Sequence, residues 1–286
     1  MTIRKAVMPV AGFGTRFLPV TRAVPKNLLP VFDRPSVHLC VEEAVSAGIE
    51  DIIFIVSEGQ DGPISRYFGP QPGLENALAS RNNVELLEQM REIAEMANVS
   101  CSIQNEQKGL GHAILMAREE VGDEAFAVFL PDDVIWADIP TIGEMIEVHG
   151  ATGGNVVALE EVSDTDVPSK GIVAIKRISE TRSRILDMVE KPALEDAPSN
   201  LAVVGRYVLT AEIFDTLQYT PAGALGEIQL TDAIARHIES PGVYGYHFGG
   251  EHQDVGNPLG ALKASVTAAL KRQDVADDLR AWLSGL

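Results

Sequence analysis

Two short stretches, Ile52-Ile53-Phe54-Ile55-Val56 and Phe126-Ala127-Val128-Phe129-Leu130, are apolar at every position. A strand with no polar face has to be covered on both sides, which marks a central strand of a parallel sheet with helices packed above and below it. The neighbouring pattern agrees. Lys5–Val10 and Val99–Gln104 read as further strands, and Ser36–Ala47, which follows Pro35, places Val37, Cys40, Val41, Ala44 and Val45 at helical spacing. Leu74–Ala97 and His112–Val121 also read as helices. This βαβα order predicts an α/β fold with a doubly wound, mainly parallel sheet whose ligands bind beyond the carboxyl ends of the strands.

The second half is richer in strands, at Asn155–Val162, Gly171–Ile178, Arg184–Val189 and Asn200–Leu209. Helical spacing returns at Ala211–Leu217, Ile228–Ile238, Leu259–Lys271 and Val275–Leu283. The 286 residues suffice for one large domain with a substantial core, and no repeat or low-complexity linker divides them. A single domain over residues 1–286 is expected, with internal divisions near residues 135 and 258.

A formal net charge of −18 argues against nucleic acid as a partner, because phosphate backbones call for clustered Lys and Arg. No run is apolar and long enough to span a membrane, and the first residues lack the shape of a signal peptide. The 2 cysteines, Cys40 and Cys101, have no metal-binding spacing and are expected to be reduced core residues. A cytoplasmic location is the expectation.

The strand Lys5–Val10 runs into Ala11-Gly12-Phe13-Gly14-Thr15-Arg16. Glycines at alternate positions let backbone N–H groups approach a phosphate or a base edge, and Arg16 adds a planar fork for phosphate oxygens. Alone, Gly-x-Gly also fits a plain tight turn. A dinucleotide fingerprint would need a third glycine where Phe17 stands, and an acid ending a second strand about twenty residues on. Asp33 instead lies in a turn between Pro30 and Pro35. No Gly-Lys-Ser/Thr follows, so this is not a Walker A loop either. Lys26 lies further on, between Pro25 and Pro30, as either a fixed phosphate ligand or a solvated loop charge.

Gly12-Phe13-Gly14-Thr15-Arg16-Phe17-Leu18-Pro19 with Pro25-Lys26 resembles the signature of the sugar-nucleotide pyrophosphorylases. Gly109-Leu110-Gly111-His112-Ala113, Leu130-Pro131-Asp132-Asp133, Val189-Glu190-Lys191-Pro192, Gly226-Glu227-Ile228-Gln229-Leu230-Thr231-Asp232 and Asp254-Val255-Gly256-Asn257 follow in order. In that order they resemble the bacterial UTP–glucose-1-phosphate uridylyltransferases over nearly the whole chain. The resemblance implies a Rossmann-like, GT-A-like nucleotidyltransferase fold with a mixed sheet. It also implies an enzyme of carbohydrate metabolism that makes UDP-glucose and pyrophosphate from UTP and glucose 1-phosphate, and that assembles as a homodimer or homotetramer. Residues up to about 135 then form the nucleotide-binding half and about 136–258 the sugar-phosphate half, leaving 259–286 as helices available for a subunit contact.

Carried over residue by residue, the resemblance places the nucleotide on Ala11, Gly12, Gly14 and Thr15, with its phosphates on Arg16 and Lys26. Gln104 falls on the uracil-reading position, and an amide suits it because it both donates and accepts; Gly109 lies close to base and ribose. Asp132, at the carboxyl end of an apolar strand, and Asp254 fall on Mg²⁺-binding positions, and carboxylate oxygens shared with substrate phosphates suit that ion. Gly171, Glu190 and Lys191 fall on the glucosyl-phosphate side, with Lys191 neutralising the attacking phosphate. Each has a plainer reading: Gln104 as the end of an exposed strand, the aspartates as turn formers, Glu190-Lys191 as a surface pair. Asp133 is expected to cap or orient its neighbour, and His112 to support the site rather than act as a base.

Two positions depart from the family pattern. Asn27 follows Lys26 where an acid is usual, and Lys170 precedes Gly171 where a tyrosine is usual; these bear on base recognition and on the choice of sugar. A sister transferase using dTTP or another sugar 1-phosphate, and a weakly active regulatory paralogue, remain as alternatives. An NAD-dependent dehydrogenase is disfavoured by Phe17.

Overall fold

The computed structural model describes residues 2–59, 61–223 and 226–285. The first half supplies strands β1 (Lys5–Pro9), β2 (Pro30–Val31), β3 (Arg34–Pro35), β4 (Asp51–Val56), β5 (Asn98–Ile103), β6 (Phe126–Phe129) and β7 (Asp133–Trp136). The second half supplies β8 (Asn155–Glu161), β9 (Gly171–Arg177), β10 (Arg182–Glu190), β11 (Leu201–Leu209), β12 (Val243–His247) and β13 (Glu251–Asp254). Among the described residues, a 9-stranded sheet runs in the order β5-β4-β1-β6-β11-β8-β12-β10-β9. Strands β5, β4, β1 and β6 are mutually parallel, β12 parallels β8, and only β11 and β10 run against the others. The sheet is therefore mixed, with most strands pointing one way. Two small antiparallel pairs, β2–β3 and β7–β13, lie outside it.

The helices are α1 (Ser36–Ser46), α2 (Asp61–Phe68), α3 (Pro72–Ser80), α4 (Val84–Glu95), α5 (Leu110–Leu115), α6 (Arg118–Val121), α7 (Thr141–Thr152), α8 (Glu212–Gln218), α9 (Leu230–Ala235), α10 (Pro258–Lys271) and α11 (Ala276–Leu283). The all-apolar strands place alternate residues in two separate cores. Val7, Ile53, Ile55, Phe126 and Val128 pack under α5, α8 and α9 through Ile114, Phe214, Leu217 and Ile234. Their neighbours Met8, Ile52, Phe54, Ala127 and Phe129 pack on the other face, against Val37 and Val41 of α1, Ile64 and Phe68 of α2, and Met145 of α7. A period-2 backbone buried on both faces requires such a composition.

Several elements differ from the sequence reading. The helix expected over Leu74–Ala97 is broken into α3 and α4, because Asn82 adopts a left-handed φ of 54° that the short polar side chain tolerates. Asn83 then caps α4, its side chain accepting from the Leu86 N–H at 3.4 Å. The helix expected over His112–Val121 begins two residues earlier and is interrupted between α5 and α6. Helices α2 and α7 and strands β2, β3, β7, β12 and β13 add to the elements expected from the sequence; these strands are short, and β13 is polar throughout. Cys40 lies in the core, where burial pushes its thiol up to about 12. Cys101 is only half-buried, since β5 is an edge strand. On α10, Ala264 and Ala261 pack against Val31, Val134 and Val255, while Leu259 and Leu262 remain exposed, as does Trp282 of α11.

Phe126 is fully buried and stacks on Phe214, with ring centroids 5.0 Å apart and planes 2° from parallel. Phe126→Ala is expected to cost about 3–5 kcal/mol. Chemical denaturation followed by circular dichroism reads this, and a loss below about 1 kcal/mol would show that the core collapses around the cavity.

Candidate active site

Because β1 and β6 are adjacent and parallel, the segments leaving Pro9 and Phe129 emerge together at one edge of the sheet. After β1 the chain makes one more ladder bond, from the Val10 N–H to the Ile55 carbonyl at 2.8 Å, and then turns. The buried Ala11 carbonyl accepts from Ser57 Oγ and from Gln107 Nε2, each at 2.6 Å. Gly12 lies under the Lys26 side chain, whose Cε stands 3.6 Å from the space a Cβ would fill. Thr21 Oγ1 donates to the Gly14 carbonyl at 2.9 Å and closes the loop. Thr15 and Arg16 sit exposed on a short 3₁₀ turn, with Arg16 Nη1 3.5 Å from the Gly256 carbonyl oxygen. Lys26 crosses the cleft and forms an ion pair with Asp132.

Ala11, Gly12, Lys26, Gln104 and Gly109 line one cleft. Gln104 is buried, and its N–H donates to the Val56 carbonyl at 2.8 Å, so the end of β5 fixes its direction. Its amide nitrogen lies 3.0 Å from Nδ1 of His112. Gly109 has a φ of 100°, and a Cβ there would stand 2.6 Å from Glu227 Cβ. This close approach is locked from both sides, the Ile228 N–H donating to Lys108 O at 2.7 Å and the Gly111 N–H to Ile228 O at 2.8 Å.

A second cleft, which shares Pro9 and Leu110 with the first, is lined by Arg16, Asp132, Asp133, Lys170 and Asp254. A Cβ on Gly256 would stand 2.9 Å from Asp254 Oδ1 and 3.1 Å from Asp132 Oδ2, so the two carboxylates face one another across the space this glycine leaves. Gly256 N–H donates to Asp254 Oδ1 at 2.7 Å, and Val255 N–H to the Asp132 carbonyl at 2.7 Å. Among the described residues no group of three or more His, Cys, Asp or Glu side chains is arranged to hold a metal alone. Two facing carboxylates, completed by phosphate oxygens and water, are a donor set that fits Mg²⁺.

Asp133, expected to cap or orient its neighbour, instead joins a set of contacts inside the fold. It is buried, accepts from the Gly205 N–H at 3.1 Å, and binds His252 Nε2 at 2.8 Å. Burial works against its charge, but the bond to and charge of His252 outweigh that and hold the carboxyl below its usual range. Burial likewise opposes the His252 charge, yet bonds to Asp133 and Glu160 raise the imidazole to about 9.

At the far side of the cleft, Gly171 opens β9 and Glu190 ends β10, directly paired in register. Glu190 Oε2 accepts from Thr231 Oγ1 at 2.7 Å, and Lys191 Nζ is 3.3 Å from Glu190 Oε1. Lys191 holds a left-handed φ of 48°, which points the chain away after β10. The structure thus gathers Ala11, Gly12, Lys26, Gln104 and Gly109 around one cleft and Arg16, Asp132 and Asp254 around the adjoining one. Gly171, Glu190 and Lys191 form their own cluster beside Lys170. Gln107 and Thr231 were not singled out from the sequence, although Thr231 stands inside a quoted motif. Gln107 lies in a polar run, Asn105-Glu106-Gln107-Lys108, that carries no periodic signal.

Residues 5–270 match the nucleotidyl transferase family. The chain is 43% identical over 284 residues to the UTP–glucose-1-phosphate uridylyltransferase of Staphylococcus epidermidis, covering 99% of this chain and 98% of that one. A UTP-bound UGPase from Acinetobacter baumannii superposes with a TM-score of 0.92 at 37% identity, covering 100% of both chains. A UDP-glucose pyrophosphorylase complexed with UDP-glucose gives a TM-score of 0.86 at 38% identity, covering 95% of this chain and 100% of that one.

Gly109→Ala tests the locked loop. At that φ, alanine costs about 1–3 kcal/mol in the backbone alone, and its Cβ meets Glu227. The variant is expected to lose at least about tenfold in UTP affinity by calorimetry, which corresponds to roughly 1.4 kcal/mol. Unchanged affinity would place the nucleotide elsewhere.

Proposed function

The chain belongs to the nucleotidyl transferase family, and within it we propose that it is the enzyme joining UTP to glucose 1-phosphate, releasing pyrophosphate and forming UDP-glucose. The observation that carries this reading is the meeting of the two clefts at Pro9 and Leu110. A nucleotide whose base lies beside Gln104 and Gly109 extends its phosphates past Gly12 and Lys26 towards Asp132 and Asp254. The relatives described above carry the same activity in their names, and one was solved with UTP.

The chemistry needs no protein nucleophile. An oxygen of the sugar phosphate, already ionised, attacks the α-phosphorus of UTP in line and expels pyrophosphate, so positioning and charge neutralisation do the work. Ala11, Gly12, Gly14 and Thr15 present backbone groups to the nucleotide, and Arg16 holds its phosphates. Lys26 exchanges Asp132 for a phosphate oxygen, which releases that carboxylate. Asp132 and Asp254 would hold Mg²⁺, which when bound would neutralise phosphate charge at this point. Gly171 leaves room for the sugar, Glu190 accepts from its hydroxyls, and Lys191 holds the attacking phosphate. The exposed Leu259, Leu262 and Trp282 fit a contact between copies of the chain; light scattering is expected to give a dimer or tetramer, and a monomer at micromolar concentration ends that assignment.

Asp132→Ala and Asp254→Ala are each expected to lower kcat by about 10²–10³ while leaving the circular dichroism spectrum unchanged. Near-normal turnover at saturating Mg²⁺ would overturn the metal assignment. A panel crossing nucleoside triphosphates with sugar 1-phosphates is expected to give the highest kcat/KM for UTP with glucose 1-phosphate. A purine triphosphate in the lead would refute the uridylyltransferase reading.

A further inference from the structure

A glutamine amide is ambidextrous: turned one way it offers an acceptor, turned the other a donor pair. A reader of pyrimidines built on Gln104 needs something to decide which end faces the base. Nε2 of Gln104 stands 3.3 Å from the Gly109 carbonyl oxygen and 3.0 Å from Nδ1 of His112. A carbonyl oxygen only accepts, so the amide end turned to Gly109 is the NH₂ group. With the amide in that sense, His112 Nδ1 is also an acceptor and the ring proton lies on Nε2. Burial, with the nearby Lys108 charge, lowers the imidazole pKa and favours this neutral ring. Oε1 is left without a protein partner among the described residues.

We propose that His112 is a positioning residue for base selection: by accepting from Gln104 Nε2 it locks the amide so that Oε1 receives the pyrimidine N3–H. Uracil and thymine carry that N–H. Cytosine has a lone pair there instead, and a locked Oε1 repels it. Held by the longer 3.3 Å contact to the Gly109 carbonyl alone, the amide can turn over and donate to cytosine, so the complete lock, not the glutamine alone, rejects CTP. The inference rests on the uridylyltransferase reading, which brings a pyrimidine to this cleft.

The test is kcat/KM for UTP, CTP and dTTP with glucose 1-phosphate in the wild type, His112→Leu and His112→Asn. H112L removes the acceptor. H112N restores one, since its Oδ1 branches from the same Cγ as the ring Nδ1. H112L is expected to lower the UTP:CTP ratio by at least about tenfold, mainly through KM, because a site's unmet hydrogen bond is what rejects the wrong substrate. H112N is expected to keep the ratio within about threefold of the wild type. The UTP:dTTP ratio is expected to be unchanged in both, since both bases present N3–H; a merely structural role for His112 would not separate these two ratios. If H112L does not fold, His112→Met carries the same expectation. An unchanged UTP:CTP ratio in the variant lacking the acceptor, or equal loss in H112N, overturns the proposal while wild-type UTP turnover leaves the enzyme reading intact. A wild type that fails to prefer UTP over purines sinks both.

Discussion

The two clefts depend on a chain of buried charges centred on Asp133. Its carboxylate binds the Gly205 N–H and His252, its carbonyl accepts from Arg206 Nη1 at 2.9 Å, and Arg206 in turn pairs with Glu43 at 2.8 Å. One connected set of bonds therefore ties β7 to β13, to β11 and to α1. Arg206 is 1% exposed and the Asp133 and His252 side chains are nearly as deep, so little water reaches these charges. Removing one partner from such a set costs about 3–5 kcal/mol, because the others stay buried without it. The consequence for the site is positional. Asp132 precedes Asp133, and Asp254 is paired with Asp133 across β7–β13, so the network sets the Asp132 and Asp254 carboxylates face to face.

Which parts of this were legible in the sequence follows from which forces are local. The paired apolar runs at Ile52–Val56 and Phe126–Leu130 required cover on both faces, and the sheet they imply is the one found. Asp132 is legible from its place at the carboxyl end of an apolar strand, whereas Lys26 and Gln104 are assigned only by the family resemblance; the structure brings them to two adjoining clefts. The buried network was not legible. Asp133, Glu160, Arg206 and His252 lie far apart in the chain and meet through β7 and β13, two strands of four residues each, too short to show a period, the second of them polar throughout. Nor did periodicity mark the break at Asn82, where a single left-handed residue decides the geometry of two helices. His112 was assigned a supporting role without a partner, because its partner, Gln104, is set by the end of another strand.

The two departures from the family pattern gain a physical context. Asn27 is 1% exposed, and neither end of its amide finds a partner among the described residues. A carboxylate at the same depth would add a charge next to Lys26, competing with Asp132 for its ammonium. The amide removes that competition, at the milder cost of a neutral polar group. Lys170 lines the same cleft as Asp132 and Asp254 and helps hold the Asp133 carboxyl in its charged form. It forms no ion pair among the described residues.

These local arrangements answer the problem posed by the global charge of −18. A polyanionic substrate approaching this protein meets a repulsive surface, but salt screens exposed charges beyond roughly 8–10 Å. Inside the cleft a cation at about 4 Å is worth around 4 kcal/mol at an effective dielectric near 20. Arg16, Lys26, Lys170 and Lys191 stand within or beside the same depression as the two aspartates. Lys26 and Lys191 are each tied to a carboxylate in the structure, Asp132 and Glu190. Both pairs hold an ammonium in place at the clefts, and under the proposed function each exchanges its carboxylate for a phosphate oxygen. The acidic exterior is thus no obstacle to binding phosphates. Lys26 and Lys191 are positioned in advance and compensated, while Arg16 and Lys170 form no ion pair among the described residues.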